Sequence, residues 1–487
     1  MVTRIPRVMS TQHPDNIRLP FFAESSDMSG EDEIKEAYYA FSHLGCDEQM
    51  WDCEGKEVDA FVVRKLLTKY EHFFREKRLG QDVFITLRVP NPTVEKAEAK
   101  VLIETLEEIP RSFDVAKLFY KEDILPIFEV ILPMTTTSNC LNRIYYYYKD
   151  FIAGKQNLPF YPGDITIAEW IGEFRPESIQ VIPLFEDREH LLECHQILRE
   201  YLKNKEVPYQ RVFLARSDPA MNYGLVSAVL CNKIALQRLR RLSRELGVQI
   251  YPILGVGSAP FRGNLKPGNE DRVLFEYPDV QTYTVQSAFK YDYPVDMTIK
   301  AVERLKTSPR RRGWEVNEEW CLKVIDKVSA EYRKQVEPLA PLINQVARYI
   351  PKRRMRKLHI GLFGYSRSVG EVSLPRAIGF CAACYSIGLP PEILGLNALD
   401  RNDLDYLKEA YIHFVEDISD GLSYFNEEVL AILPDMVKNS IRPDVFDFKV
   451  NHEHKKITSR VIKALKNDDP NLQSMIEEAA YLRRFLG

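Results

Sequence analysis

The chain has 487 residues, of which 45% are hydrophobic and 28% charged, with a mean hydropathy of −0.29. That composition excludes a mostly disordered chain and a disulfide-held miniprotein. A formal charge of −4 argues against nucleic acid as a partner. At about 100–200 residues per domain the length predicts two to four domains, but one enlarged α/β barrel, which insertions carry past about 400 residues, is equally allowed.

The first twenty residues are polar and lack the apolar stretch of a secretory leader. No apolar run approaches the roughly 20 residues that cross a bilayer. A cytoplasmic protein with no membrane partner is expected. The sparse cysteines, including Cys381 and Cys384 in an apolar stretch, read as buried thiols rather than a metal site. Residues 1–80 read as a helical, partly extended N-terminal segment, with the acidic run 31–36 starting a helix.

Eight short apolar or β-branched runs then predict strands at 82–88, 124–132, 179–185, 211–215, 248–254, 280–285, 358–363 and 392–396. Helical patterning fills the gaps, most clearly over 94–108, 186–204, 223–246 and 316–349. Strands alternating with helices imply parallel pairing, and eight such units close into a (β/α)8 TIM barrel. The long gaps after the second and sixth strands predict helical insertions. The reading is one enlarged barrel domain: residues 1–80 ahead of it, 81–400 forming it with its insertions, and 401–487 adding C-terminal helices.

Active sites of such barrels lie at the C-terminal strand ends, and reactive residues gather there. Arg88 ends the first predicted strand, Glu186 the third, and Arg216 and Asp218 follow the fourth. GVGSAPFRG follows the fifth and carries Arg262; its Gly257, Ser258 and Gly263 are expected to bind substrate through backbone N–H groups, and Arg367 follows the seventh. Two carboxylates from neighbouring strands suit Mg²⁺, which keeps waters or substrate oxygens as further ligands. Arginines at the same mouth suit a small phosphorylated or carboxylated anion. Metal and arginines together favour a reaction that builds negative charge on oxygen, such as enolate formation. Spacing alone does not choose the enolate.

Eight motifs in order resemble those of archaeal-type phosphoenolpyruvate carboxylase, from Met9 to Gly487: MSTQHPDN, MWDCEGKEVD, RVPNP, ILPMTTTS, PLFED, ARSDPAMNYG, GVGSAPFRGNL and FGYSRSVGEVSLPRAIGF. The resemblance implies a barrel with many extra helices, typically a homotetramer, that uses Mg²⁺ or Mn²⁺. It implies joining phosphoenolpyruvate to bicarbonate, through carboxyphosphate and an enolate, to give oxaloacetate and phosphate. PLFED and ARSDPAMNYG resemble the metal motifs of the larger bacterial and plant enzymes, which makes Glu186 and Asp218 the expected ligands. By the same likeness Arg262 is expected to hold substrate or carboxyphosphate, and Arg367, across a gap in register, phosphate. Arg88 and Arg216 are placed by strand-end position.

The chain departs from the larger enzymes in the glycine loop, where a histidine and an arginine are absent, and at Met221, where they carry lysine. The proton-handling histidine must then come from elsewhere. His13 is expected in that role because STQHPDN resembles the family's other histidine motif, and an ordinary histidine, with a pKa of about 6.5, accepts such a proton. Read alone, His-Pro-Asp is also good turn chemistry. Lying ahead of the predicted barrel, His13 would have to fold over its mouth. The basic runs 310–312 and 352–357, and His452 and His454, read as exposed. Another metal-dependent barrel acting on phosphoenolpyruvate or pyruvate, or a binding-only regulatory subunit, are the competing readings.

Overall fold

A computed structural model describes residues 4–53, 61–96, 99–355, 367–369, 372–467 and 469–487, with the backbone alone at 367–369 and 372. Eight parallel strands close into a barrel: β1 (Val8–Ser10), β2 (Glu48–Asp52), β3 (Phe84–Arg88), β4 (Glu129–Leu132), β5 (Gln180–Phe185), β6 (Tyr209–Ala215), β7 (Gln249–Gly255) and β8 (Thr282–Val285). Closure is made by β1 against β8, with Val8 opposite Tyr283 and Ser10 opposite Val285.

Six expected strands stand, one does not, and one falls outside the described residues. The barrel begins at Val8 rather than at residue 81, because the segment taken as a preamble supplies β1 and β2. It ends at Val285, so the helix Glu318–Ala347 follows the last strand instead of interrupting the barrel. Residues 392–396 form no strand; a 3-10 turn, Pro391–Ile393, lies there, its apolar side chains buried among helices. The expected strand 358–363 lies outside the described residues. The earlier insertion is helical as expected, with Ser138–Tyr146 running into a π-helical turn, Tyr147–Ala153, that buries Tyr148.

Strand alternation fills the barrel in layers. At the bottom Arg211 is wholly buried and donates to Glu48 at 2.7 and 2.8 Å and to Glu129 at 2.7 Å. Tyr209 and Thr282 complete this layer, at 3.0 Å from Glu129 and 3.3 Å from Arg211. Burial, reinforced by the nearby Glu48 carboxylate, pushes the Glu129 carboxyl up despite Arg211. Met9, Met50, Ile131, Ile182, Phe213 and Ile253 fill the middle. Asp52, Arg88 and Gly255 lie at the top, where the interior opens.

Outside the barrel, all eight cysteines are buried free thiols, with Cys381 and Cys384 on the core helix Ala377–Ser386. Among the described residues no single helix is long and apolar enough to cross a membrane.

Candidate active site

A cavity of about 570 Å³ opens at the C-terminal strand ends. His13, Arg88, Glu186, Arg216, Asp218 and Arg262 all line it, from five different strand ends.

His13 needs no fold-over. It stands three residues beyond β1, a barrel strand, and each polar neighbour in its motif has a task. Thr11 Oγ1 lies 2.8 Å from His13 Nδ1. Gln12 Oε1 accepts from the Asp52 N–H at 3.0 Å, which ties the ends of β1 and β2. Asp15 is fully buried and accepts from Ala288 N–H at 2.7 Å and Arg262 Nη1 at 3.2 Å. Its carboxyl is raised by burial, against the pull of Arg262.

The arginines differ in what they have left to offer. Arg88 stands in register with Asp52 on β2 and makes a bidentate pair with it at 2.9 Å, buried at the rim. Arg262 is wholly buried, and every nitrogen donates within the protein: Nε to Ser217 Oγ at 3.1 Å, Nη1 to Asp15 and to Gly487 O at 2.6 Å, Nη2 to Gln286 Oε1. Arg216 is only 1% exposed, yet its Nε and Nη1 meet no hydrogen-bond partner among the described residues. Both atoms are closed off from solvent, and the charge of the side chain bears on the buried Tyr277, Tyr411 and Asp417.

Glu186 ends β5, and its Oε2 accepts from Met134 N–H at 2.6 Å. Met134 has a positive φ of 48°, uncommon for a side chain of its size, and that turn aims its N–H at the carboxylate. Asn91 of RVPNP secures the turn, donating to the carbonyls of Pro133 at 2.9 Å and Met134 at 3.1 Å. Asp218 lies in the first turn of the helix Ser217–Tyr223, directly after β6.

The glycine loop acts mainly on itself. Ser258, expected to bind substrate, is buried and donates to Leu265 O at 3.2 Å. Gly263 adopts φ 119°, and a Cβ there would come within 2.5 Å of Val256. Gly257 lets the Arg262 guanidinium pass, since a Cβ would meet its Cζ at 3.0 Å. These three shape the loop that presents Arg262 rather than the cavity wall. Arg367 opens a short strand, Arg367–Val369, paired with Val372–Leu374; its side chain lies outside the described residues.

Sequence reasoning missed the other wall. Arg353 and Arg354, read as solvated, are buried and line the cavity with Lys352 and Arg376. Arg354 pairs with Glu36 at 2.6 Å and Glu33 at 3.3 Å, so the acidic run 31–36 serves as counter-charge as well as helix start. Lys290, 2.7 Å from Glu36, also donates to Thr11 O at 2.9 Å, which links this wall to the His13 turn. His454 is likewise buried, 3.0 Å from Arg483 Nη1.

The phosphoenolpyruvate carboxylase family model matches residues 5–487. The chain belongs to the phosphoenolpyruvate carboxylase family. The enzyme of that name from Methanothermobacter thermautotrophicus is 57% identical over 99% of this chain and 100% of its own length. Those from Methanospirillum hungatei and Pyrococcus abyssi are 53% and 52% identical, each over 99% of this chain and 100% of their own length. The chain is thus a carboxy-lyase that acts on small molecules, and the barrel mouth is where its chemistry is to be sought.

Proposed function

We propose that the cavity joins phosphoenolpyruvate to bicarbonate, giving oxaloacetate and phosphate, with Glu186 and Asp218 as metal ligands, the arginines of the mouth as the source of positive charge for the anion and His13 as the proton carrier. The observation that carries this reading is the convergence in one cavity, from five strand ends, of two carboxylates, Glu186 and Asp218, a histidine, His13, and the arginines Arg88, Arg216 and Arg262.

The donor set fits a hard divalent cation, Mg²⁺ or Mn²⁺. Among the described residues no cluster of three or more His, Cys, Asp or Glu forms a closed cage. Two carboxylates at an open cavity are what Mg²⁺ takes when waters and substrate oxygens complete its shell. When bound, the cation supplies positive charge for the enolate and phosphate oxygens.

The remaining work falls to the chain's own groups. Lys352 and the arginines that line the cavity supply the positive charge that attracts the phosphoryl group. Arg262, held at four acceptors, stays in place as charge moves and needs no reorganisation. A bicarbonate oxygen attacks phosphorus, the bond to the enol oxygen breaks, and carboxyphosphate and pyruvate enolate result. His13 accepts the carboxyphosphate proton through Nε2, while Nδ1–H donates to Thr11 Oγ1. Loss of that proton releases CO2 and phosphate, and the proton passes from His13 to the phosphate. The enolate methylene carbon then captures CO2 inside the cavity.

The test is oxaloacetate formation coupled to malate dehydrogenase, run with and without bicarbonate and Mg²⁺. Product that requires both is expected. Phosphate release that ignores bicarbonate would assign the cavity to a different reaction.

A further inference from the structure

The basic run 310–312 has no part in the mouth, and the structure gives it another setting. A second cavity, of about 370 Å³, lies at the opposite end of the barrel and shares no lining residue with the first. Its floor is Arg7, which precedes β1, beside Tyr283 of β8. Arg304, Arg311 and Arg312 ring it, with Phe275 and Trp314 at the side.

Charge in this cavity is one-sided. Among the described residues four arginines line it against one carboxylate, Asp271, which is taken by Arg304 Nε at 2.7 Å. The Arg311 N–H donates to Pro278 O at 2.7 Å, which fixes its backbone, while its guanidinium has no ion-pair or hydrogen-bond partner among the described residues. Arg312 meets only the exposed Glu315, at 3.2 Å. Arg7 is 8% exposed, and its Nη atoms are held by the carbonyls of Val280, Gln281 and Ser308 at 2.8–3.0 Å. Its Nε is buried without a partner. Closed off from solvent and held by carbonyls, Arg7 contributes uncompensated charge to the floor rather than a free donor.

The side wall narrows the ligand class. Trp314 and Phe275 are 41% and 47% exposed, with ring centroids 5.2 Å apart. Exposed aromatic faces beside guanidinium groups suit a flat ring carrying anionic groups. The volume falls in the range of about 300–1,000 Å³ typical of organic ligands, and inorganic phosphate would leave most of it empty. We propose that this cavity is a second ligand site that binds a nucleoside di- or triphosphate, with its phosphates on Arg311 and Arg312, over the positive charge of Arg7, and its base against Trp314 and Phe275.

ATP is the probe, titrated into the full chain in EDTA at fixed ionic strength, with binding read by calorimetry and tryptophan fluorescence. Saturable binding is expected, with a fluorescence change that disappears in Trp314→Phe. The double variant Arg311→Ala, Arg312→Ala should weaken ATP by roughly tenfold or more, since it removes two charged donors. Its carboxylation rate without ATP should be unchanged. Tripolyphosphate should bind more weakly than ATP, and adenosine not at all. The proposal is overturned if ATP fails to saturate at millimolar concentration, or if the double variant binds ATP as well as the parent. It is equally overturned if tripolyphosphate matches ATP, which would mean a charged patch without a ring site. A double variant that changes oligomeric state by light scattering would make the arginines a subunit contact instead.

Discussion

Thr11→Val tests the proton-handling role of His13 without touching the histidine. The change is close to isosteric, and the backbone at Thr11 is held independently, its N–H by Val285 O at 3.1 Å and its carbonyl by Lys290 Nζ at 2.9 Å. What disappears is the oxygen 2.8 Å from His13 Nδ1. For His13 to accept a proton at Nε2, Nδ1 must carry the hydrogen, and Thr11 Oγ1 is its acceptor. Valine leaves that N–H without its partner, at a cost of about 1–3 kcal/mol. The ring can recover part of this by shifting its hydrogen to Nε2, the form that cannot accept. At about 1.4 kcal/mol per factor of ten, kcat for oxaloacetate should fall roughly 10- to 100-fold. That lies within the roughly 10²–10⁴-fold that a positioned acid or base contributes. KM for phosphoenolpyruvate should stay within about threefold, because the arginines that hold the anion are unchanged. The assay pairs malate dehydrogenase for oxaloacetate with lactate dehydrogenase for pyruvate, and the pyruvate share should rise. Thr11→Ser should restore the parent values. A Thr11→Val enzyme with parent kcat and product ratio would refute the reasoning, as would equal damage in valine and serine variants accompanied by a large rise in KM.

Replacing His13 by asparagine should abolish oxaloacetate while phosphoenolpyruvate-dependent pyruvate release and the melting temperature persist; carboxylation at the parent rate would remove His13 from the mechanism. Glu186→Gln and Asp218→Asn should each raise the cation concentration for half-maximal activity by about tenfold or more, with little change in melting; an unchanged metal titration would locate the cation elsewhere. Arg211→Met leaves Glu48 and Glu129 facing one another in the barrel, and urea unfolding should show a loss of about 3–5 kcal/mol; a neutral result would mean that these carboxyls are protonated in the fold. Burial pushes the Glu392 carboxyl up to about 7. Its folded form thus holds a proton that the unfolded chain releases near pH 4.5, so its contribution is intact below that pH and is lost as pH rises through 7. Glu392→Gln should gain on the parent in unfolding free energy, measured by urea titration, between pH 5 and 8, by an amount on the order of 3 kcal/mol at most; a difference that does not vary with pH would contradict this.

The sequence showed strands where their residues were apolar and hid them where the barrel interior is charged. Strand β2 reads EQMWD, and its inward side chains, Glu48, Met50 and Asp52, include two carboxylates matched by Arg211 and Arg88 from other strands. A pattern of hydrophobicity cannot register a partner 36 or 163 residues away. Strand β1 has only three residues and runs straight into a polar motif. The opposite error, at 392–396, arose because a short apolar run fits a buried turn among helices as well as a strand. The mouth was more legible than the strands. Glu186, Arg216 and Asp218 sit directly at the ends of two strands that alternation revealed, whereas Arg353 and Arg354 became invisible in a basic run whose counter-charges lie more than 300 residues earlier.

Those counter-charges also revise what the net charge of −4 conceals. Positive side chains do concentrate at the mouth, but three of the arginines are matched from behind: Arg88 by Asp52, Arg262 by Asp15, Arg354 by Glu36 and Glu33. A matched guanidinium is fixed in direction and adds little net field, so it shapes the cavity more than it attracts an anion. Arg216 and Arg353 also keep nitrogens without a partner among the described residues, but those atoms are closed off from solvent, and one Nη of Arg353 donates to Ile17 O at 3.1 Å. Such an arrangement suits a reaction whose anion changes shape. Arginines fixed in advance would keep their geometry while bicarbonate, carboxyphosphate and phosphate succeed one another, with no reorganisation at the moment of transfer. The −4 total is therefore silent about the mouth, where guanidinium groups stand close together because a carboxylate behind several of them offsets their mutual repulsion.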